Sequence, residues 1–234
     1  MKRLITVLAV VAAAGLTACE KTEYVEQSDA GAQQDATAQD DAGEQCGPGV
    51  YPCPPYGTVP NTVLEDLTFT GWIDENGNGD LEDENYREWG LDYFYQLGLD
   101  GEAKFMMLNA SAGWCSVCRA ETRTLPQLQT DYKDKGFRLA QIIFEDNSYN
   151  PADKTFVTAW RDTYNLNFPL GLDAAFKTGR YFDYAATPAN FIIALKDMTV
   201  NGQPVKAMEL MVLMTGYSET DLRALFDDLD ANSQ

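Results

Sequence analysis

The spacing of apolar positions alternates between two periods over most of the chain. Residues 67–73 alternate apolar and polar side chains as a half-buried strand does, and from residue 86 onward short apolar runs separate longer runs with a 3.6-residue period. This alternation predicts an α/β domain. The predicted strands are 104–109, 137–144, 191–195 and 208–214, and the predicted helices are 89–97, the run from residue 115 to about 135, 153–164, 174–179 and a closing helix that begins at 218.

The N-terminal segment has the pattern of an export signal. Lys2 and Arg3 precede an apolar run and a group of small residues, and the run is shorter than the about 20 residues that a membrane-spanning helix needs. The sequence LTAC, which ends at Cys19, resembles the lipobox of bacterial lipoproteins, whose cysteine is acylated after cleavage. Residues 1–18 are therefore predicted to be a lipoprotein signal peptide, and ordinary secretion with a chance cysteine is the alternative. The resemblance implies a lipid-anchored protein of the cell envelope that faces the extracytoplasmic space.

Composition separates the remaining chain into three parts. Residues 19–45 contain almost no large apolar side chain, so they are predicted to form a disordered tether. Residues 46–60 are rich in proline and glycine, and an oxidising compartment favours a structural disulfide between Cys46 and Cys53. Residues 61–234 are predicted to form the folded domain.

Charge and one missing residue type exclude several functions. The chain has 36 acidic and 17 basic residues and a formal net charge of −19, so nucleic acid and anionic lipid surfaces would repel it. It contains no histidine. This absence excludes catalytic triads that depend on histidine, Cys-His nucleophile pairs and histidine metal ligands.

An acidic loop after the first predicted strand resembles the start of a calcium loop. Gly79 occupies the sixth position, where a sharp turn is needed, but the twelfth position is Asn85 instead of a bidentate glutamate. A plain Asn-Gly turn is the alternative, and calcium is not expected as a cofactor. The candidate ligands are Asp74, Asn76, Asn78 and Asp80.

The most informative motif is a pair of cysteines three positions apart. Cys115 stands at a strand-to-helix junction, where unpaired N–H groups favour a thiolate, so it is predicted to attack, with Cys118 one turn later placed to resolve a mixed disulfide. Glu121 falls on the apolar face of the following helix, where burial would raise its pKa and let it exchange a proton with Cys118. The alternative is a half-buried face on which Glu121 only favours the helix start. The face comprises Val117, Glu121, Leu125, Leu128 and Tyr132.

The residues around this pair resemble the active-site segment of a known superfamily. The run LNASAGWCSVCRAE, residues 108–121, is similar to that of the thioredoxin-like superfamily, and most of all to TlpA-like envelope thiol-disulfide oxidoreductases, which typically read L-N-F-W-A-x-W-C-x-x-C-R-x-E. Asn109 stands where cytosolic thioredoxins carry a buried aspartate. Glu121 matches the acid that the envelope members use.

The resemblance implies a fold, further site residues and partners. The fold would be thioredoxin-like, with a central mixed β-sheet flanked by helices and an N-terminal extension. Thr187 and Pro188 match the family's cis-proline loop, which binds substrate together with Trp114 of the motif. The implied function is exchange of disulfides with envelope proteins and with an upstream redox donor or acceptor. The implied protein is a monomer with no cofactor beyond its Cys115–Cys118 disulfide.

Departures from the family pattern leave alternatives open. Ser116 and Val117 match neither Gly-Pro nor Pro-His, so they assign no direction to electron flow. The family's helix proline is replaced by Arg123, and Pro126 is expected to kink the helix about one turn later. Three other functions remain: a four-cysteine zinc site, a peroxiredoxin-like peroxidase, although the P-x-x-x-[TS]-x-x-C motif is absent, and a non-catalytic binding module.

Overall fold

Strands and helices alternate along most of the chain. The computed structural model describes residues 49–74 and 78–234, and within these ranges it contains ten strands and five α-helices. The strands are β1 (Thr62–Val63), β2 (Thr68–Trp72), β3 (Tyr86–Gly90), β4 (Phe105–Ala112), β5 (Phe137–Glu145), β6 (Leu170–Leu172), β7 (Ala189–Ala194), β8 (Met198–Val200), β9 (Gln203–Val205) and β10 (Glu209–Thr215). The helices are α1 (Leu91–Leu99), α2 (Ser116–Thr122), α3 (Leu125–Tyr132), α4 (Lys154–Tyr164) and α5 (Glu219–Asn232).

Eight of these strands form one mixed sheet, in the order β1-β10-β7-β4-β5-β6-β2-β3. Strand β4 lies inside the sheet, parallel to β5 and antiparallel to β7, and all of its residues are buried. Strands buried on both faces need apolar side chains in almost every position, which explains the nearly continuous apolar runs of β4, β5 and β7. The predicted mixed sheet flanked by helices is confirmed.

Successive residues of β4 point to opposite faces of the sheet, as strand geometry requires. Phe105 and Met107 pack with α3, α4 and α5, whereas Met106 and Leu108 pack with α1. Helices therefore cover both faces. The cysteine pair follows the carboxyl end of β4.

Three predicted helices differ from the observed elements. Trp89 lies within β3 rather than beginning a helix, because residues 86–90 pair with β2, and α1 starts only at Leu91. The helix expected to reach residue 135 is interrupted at Arg123 and Thr124, between α2 and α3. Pro126 lies in the first turn of α3, where its missing N–H is tolerated, but a continuous helix would require that N–H to bond to residue 122. In place of the helix predicted over 174–179, a 3₁₀ turn covers Lys177–Arg180.

The lead-in segment contributes to the core. Tyr51 is 6% exposed and its hydroxyl donates to the carbonyl of Leu64, over 3.1 Å.

The signal segment, the tether, Cys19 and Cys46 lie outside the described residues, so the predictions for them stay predictions. Among the helices of residues 49–74 and 78–234, none is long and apolar enough to cross a membrane.

Candidate active site

Cys115 and Cys118 form a disulfide at the start of α2. Cys115 is the N-cap residue, and its Sγ accepts the backbone N–H of Cys118 over 3.0 Å. After reduction, the same N–H would stabilise a thiolate at Cys115 by a charge-assisted hydrogen bond. Because α2 has only seven residues, this direct hydrogen bond would stabilise the thiolate more than the dipole of so short a helix. Cys115 is 6% exposed and Cys118 is completely buried, so Cys115 is the more accessible sulfur.

A glycine allows the sharp turn between β4 and α2. A Cβ atom at Gly113 would lie 2.4 Å from the ring of Phe156 and 2.8 Å from the backbone of Asp146. The N–H of Gly113 donates to the carbonyl of Glu145 over 2.8 Å, and its own carbonyl accepts a hydrogen bond from the Arg119 guanidinium. The entry to the cysteine pair is therefore held against the end of β5.

The predicted Thr187–Pro188 loop lies against Cys115. The peptide bond between Thr187 and Pro188 is cis, and the carbonyl oxygen of Thr187 is 3.8 Å from Cys115 Sγ. Seventy-two positions separate these residues in sequence. The structure thus brings together the Cys115–Cys118 pair and the Thr187–Pro188 loop.

Glu121 is buried one turn behind Cys118. Its Oε2 accepts from Asn109 Nδ2 over 2.8 Å, and its Oε1 accepts from Asn190 Nδ2 over 2.7 Å. Burial raises the pKa of Glu121 to about 7, while the two amide hydrogen bonds act in the opposite direction. Glu121 in turn affects Tyr217, whose pKa is raised first by burial and in smaller part by Glu121. The Glu121 carboxyl can therefore exchange a proton near neutral pH.

The helix face that suggested Glu121 is only partly buried. Leu125, Leu128 and Tyr132 are buried along with Glu121, but Val117 is 43% exposed. Val117 thus points away from the core, while α3 packs on the sheet.

A polar row crosses the sheet beneath Glu121, and sequence reasoning missed most of it. Asn109 pairs in register with Gln141 of β5 on one side and with Asn190 of β7 on the other. All three side chains are completely buried. Gln141 Nε2 donates to Asn109 Oδ1 and to Thr122 Oγ1, each over 2.8 Å, and Asn109 Nδ2 donates to Asn190 Oδ1 over 2.7 Å. The available signal was a single amide within each apolar strand, since buried amides need dedicated partners.

Trp114 lies beside the pair within an aromatic group. Its indole Nε1 donates to Glu145 Oε2 over 2.7 Å, and the hydroxyl of Tyr184 donates to the same oxygen over 2.5 Å. The Trp114 ring stacks on Tyr149 with centroids 5.1 Å apart. Burial, followed by the bond to Glu145, raises the pKa of Tyr184 to about 12.

The remaining predicted site residues lie elsewhere. Cys53 is disulfide-bonded, and its expected partner Cys46 is outside the described residues, so that pairing stays a prediction. In the acidic loop, Asp74 accepts the N–H of Gly79 over 3.1 Å, and Asn78 accepts the N–H of Asp80 over 2.7 Å. Asn76 is outside the described residues. Within 49–74 and 78–234, no group of three or more histidine, cysteine or acidic side chains is placed to hold a metal ion.

Comparison with known proteins agrees with this geometry. A model of the AhpC/TSA family matches residues 87–201. The chain is 34% identical to the thioredoxin-like protein YneN of Bacillus subtilis over 116 residues. The match covers 47% of this chain and 64% of YneN. It is 28% identical over 94 residues to the thiol-disulfide oxidoreductase ResA of Oceanobacillus iheyensis, covering 40% of this chain and 46% of ResA. The chain thus spans between about half and two thirds of these relatives.

Solved structures show the same fold at low sequence identity. A DsbE-like protein from Chlorobium tepidum has a TM-score of 0.51 at 18% identity, covering 75% of this chain and 98% of that one. A hypothetical protein from Sinorhizobium meliloti has a TM-score of 0.52 at 16% identity, covering 75% of this chain and 86% of that one.

Proposed function

We propose that this chain, which has a thioredoxin-like fold, is a thiol-disulfide oxidoreductase that acts on envelope proteins through Cys115 and Cys118. One observation carries the proposal most strongly. Cys115 at the N-cap of α2, 6% exposed, the completely buried Cys118 and a cis-proline loop 3.8 Å from Cys115 Sγ converge on one site. A structural disulfide would not need the adjoining loop.

The exchange begins at Cys115. Its thiolate attacks one sulfur of a client disulfide, forms a mixed disulfide with that sulfur and releases the other client sulfur as a thiolate, which takes up a proton. Cys118 then attacks Cys115 Sγ, and the second client sulfur leaves. The client is reduced by two electrons and the Cys115–Cys118 pair is oxidised. The reverse sequence oxidises a client dithiol.

Glu121 would manage the proton of Cys118. Cys118 is completely buried, so its thiol cannot lose a proton directly to solvent. Glu121 lies one turn further along the same helix, and its raised pKa of about 7 makes its carboxylate a base at neutral pH. Its proton uptake would allow Cys118 to attack as a thiolate.

Kinetic comparison of three proteins tests the proposed activity. Reduction of insulin and exchange with glutathione disulfide would be measured for wild type, Cys115→Ser and Cys118→Ser. We expect Cys115→Ser to lose at least about 100-fold in rate, because it removes the attacking thiolate. Equal rates for wild type and Cys115→Ser would favour a binding module. Hydrogen peroxide consumption that outpaces disulfide exchange would instead favour a peroxidase.

We also propose that Cys19 carries the lipid anchor. The support is the lipobox-like sequence that ends at this residue, and more than one acyl chain is needed for stable anchoring. Expression of wild type and Cys19→Ala with an alkyne-labelled fatty acid tests it. We expect label and membrane fractionation only for wild type, and unlabelled wild-type protein in the soluble fraction would contradict the proposal.

A further inference from the structure

Tyr149 has an unusual combination of exposure and backbone strain. Its side chain is 64% exposed, and its φ of 64° lies in the left-handed region that tyrosine rarely adopts. The loop is fixed by Asp146, whose Oδ1 accepts the N–H groups of Ser148 and Asn150 over 2.7 and 2.9 Å. A strained backbone that holds an exposed ring in place contributes little to folding, so it points to a role in binding.

Tyr149 belongs to a larger surface beside the reactive sulfur, which we call the aromatic shelf. The shelf consists of Trp114, Tyr149 and Tyr184, grouped around Glu145. Tyr149 stacks on Trp114 at an interplanar angle of 17°, and Tyr184 lies on Trp114 with centroids 5.3 Å apart. Tyr184 is 38% exposed. Since Trp114 immediately precedes Cys115, a chain bound at Cys115 also passes over the shelf.

The charge around the shelf is negative. Glu145 lies at its centre, Asp146 holds the Tyr149 loop, and Asp183 caps the 3₁₀ turn that carries Tyr184. Arg119, a basic side chain of α2, is directed to the carbonyl of Gly113. Exposed aromatic faces combined with carboxylates favour a cation, by cation–π attraction and by charge complementarity.

We propose that the aromatic shelf selects client segments that carry a lysine or arginine within about two residues of the reacting cysteine. The spacing follows from two facts: Trp114 is the residue next to Cys115 and stacks on Tyr149 with centroids 5.1 Å apart, and an extended client chain advances about 3.3 Å per residue. This inference rests on the proposed function and names its substrate class. A basic client segment is also attracted to a protein with a formal net charge of −19, and this electrostatic steering raises the rate of association.

Peptide disulfides of otherwise identical sequence test the inference. Three peptides would carry arginine, alanine or glutamate two positions from the cysteine, and glutathione disulfide would serve as the probe of basal exchange. We expect wild type to show a kcat/KM about tenfold higher for the arginine peptide than for the glutamate peptide. Because the effect is partly electrostatic, this ratio should fall in about 0.5 M salt.

Variants assign the preference to the shelf. Tyr149→Ala and Glu145→Gln should each reduce the arginine-to-glutamate ratio at least about threefold, the first by removing a ring and the second by removing a charge. Tyr56→Ala is the matched control, since Tyr56 is also an exposed tyrosine, at 40%, and it bonds to Pro52 within the lead-in segment. Its ratio should equal that of wild type.

The outcomes separate this inference from the proposed function. Normal exchange with glutathione disulfide but equal rates for all three peptides would overturn the inference and leave the proposed function standing. A wild-type preference that survives both Tyr149→Ala and Glu145→Gln would also overturn it. Failure of wild type to exchange with any of the four disulfides would overturn both.

Discussion

Two rows of side chains on the same face of the sheet have opposite chemistry. The first row is entirely apolar, and its phenylalanines stack with centroids 5.0 Å apart, with a further ring from α5 at 4.4 Å. The second row, four residues further along β4, consists entirely of amides and meets a buried carboxylate. The first row is Phe105, Phe137 and Ala194, and the second is Asn109, Gln141 and Asn190.

The contrast shows how one sheet supports both stability and reactivity. The apolar row is stabilised by burial, which needs no directional partners. The amide row is tolerated in the core because its members bond to one another and to Glu121. It lies at the end of β4 that leads to the cysteine pair, so the polar part of the core is placed where a proton has to be exchanged.

The largest effect is expected from the apolar row. Phe137→Ala should lower the free energy of unfolding by about 3–5 kcal/mol, because it removes a completely buried ring from a stack. Urea denaturation measures this loss. The pH profile of disulfide exchange in the folded variant should stay unchanged. A loss below about 1 kcal/mol would contradict the stabilising role assigned to this row.

The next effect is expected at the buried carboxylate that the amide row contacts. Glu121→Gln should slow exchange about 100-fold at neutral pH, since the amide cannot accept the proton of Cys118. Stopped-flow measurement of the resolving step gives this rate. Glu88→Gln, a change at an exposed glutamate of β3, is the matched control and should behave as wild type. Equal rates for both variants would remove Glu121 from the mechanism.

The same variant changes the pH dependence of stability. The pKa of Glu121 rises from its usual 4.5 to about 7 on folding, so between these values the folded oxidised protein binds more protons than the unfolded chain. The free energy of unfolding of wild type relative to Glu121→Gln should therefore fall as pH rises through this window, by about 3 kcal/mol in total. A relative stability that is flat or rises with pH would contradict the assignment.

A smaller shift is expected when one donor to the carboxylate is removed. Asn190→Ala should raise the pKa of Glu121 further, by about 1–2 pH units. The hydrogen bond from Asn190 stabilises the ionised carboxylate, and the variant removes it. Carbon-13 NMR of the Glu121 carboxyl measures the pKa directly. The pH profile of the exchange rate should shift by the same amount. When Asn190→Ala is added to Glu121→Gln, this profile should not shift. A shift that persists in the double variant would show that Asn190 acts by another route.

The smallest effect is expected at the edge of the network. Trp160 Nε1 donates to Gln141 Oε1 over 3.0 Å, so Trp160→Phe removes one buried hydrogen bond and should cost about 1 kcal/mol of unfolding free energy. Thermal denaturation measures this cost. The pKa of Glu121 should not move, because Gln141 does not contact the carboxylate directly. A changed NMR titration would mean that coupling extends along the whole row.

The sequence predicted the sheet and the cysteine pair more readily than the surroundings of Glu121. Strands β4, β5 and β7 are short, strongly apolar runs and are therefore easily recognised, and the helix face that includes Leu125 and Leu128 indicates that Glu121 is buried. The partner Asn190 was not predictable, because it approaches Glu121 only through the register of β7 on β4. The sequence predicts a helix that includes Trp89, because an aromatic residue fits the spacing of a helix as well as that of a strand. Only the pairing of residues 86–90 with β2 makes this segment a strand.

The aromatic shelf was also beyond sequence reasoning. Trp114 was expected at the site because it precedes Cys115, but Tyr149 and Tyr184 come from two distant loops. Neither loop has a periodic pattern. What places them is the common contact of Trp114 and Tyr184 with Glu145 and the stacking of Tyr149, which are tertiary contacts.

The most direct test of the central claim is mass spectrometry of mixed disulfides trapped in living cells. In a Cys118→Ser variant the resolving thiol is absent, so client proteins should remain covalently attached to Cys115, and peptide mapping should locate the bond at that residue. A Cys115→Ser variant, expressed at the same level, should trap none through this mechanism. Mixed disulfides that accumulate on Cys118 in the second variant as readily as on Cys115 in the first, or no trapped partner in either, would contradict the account.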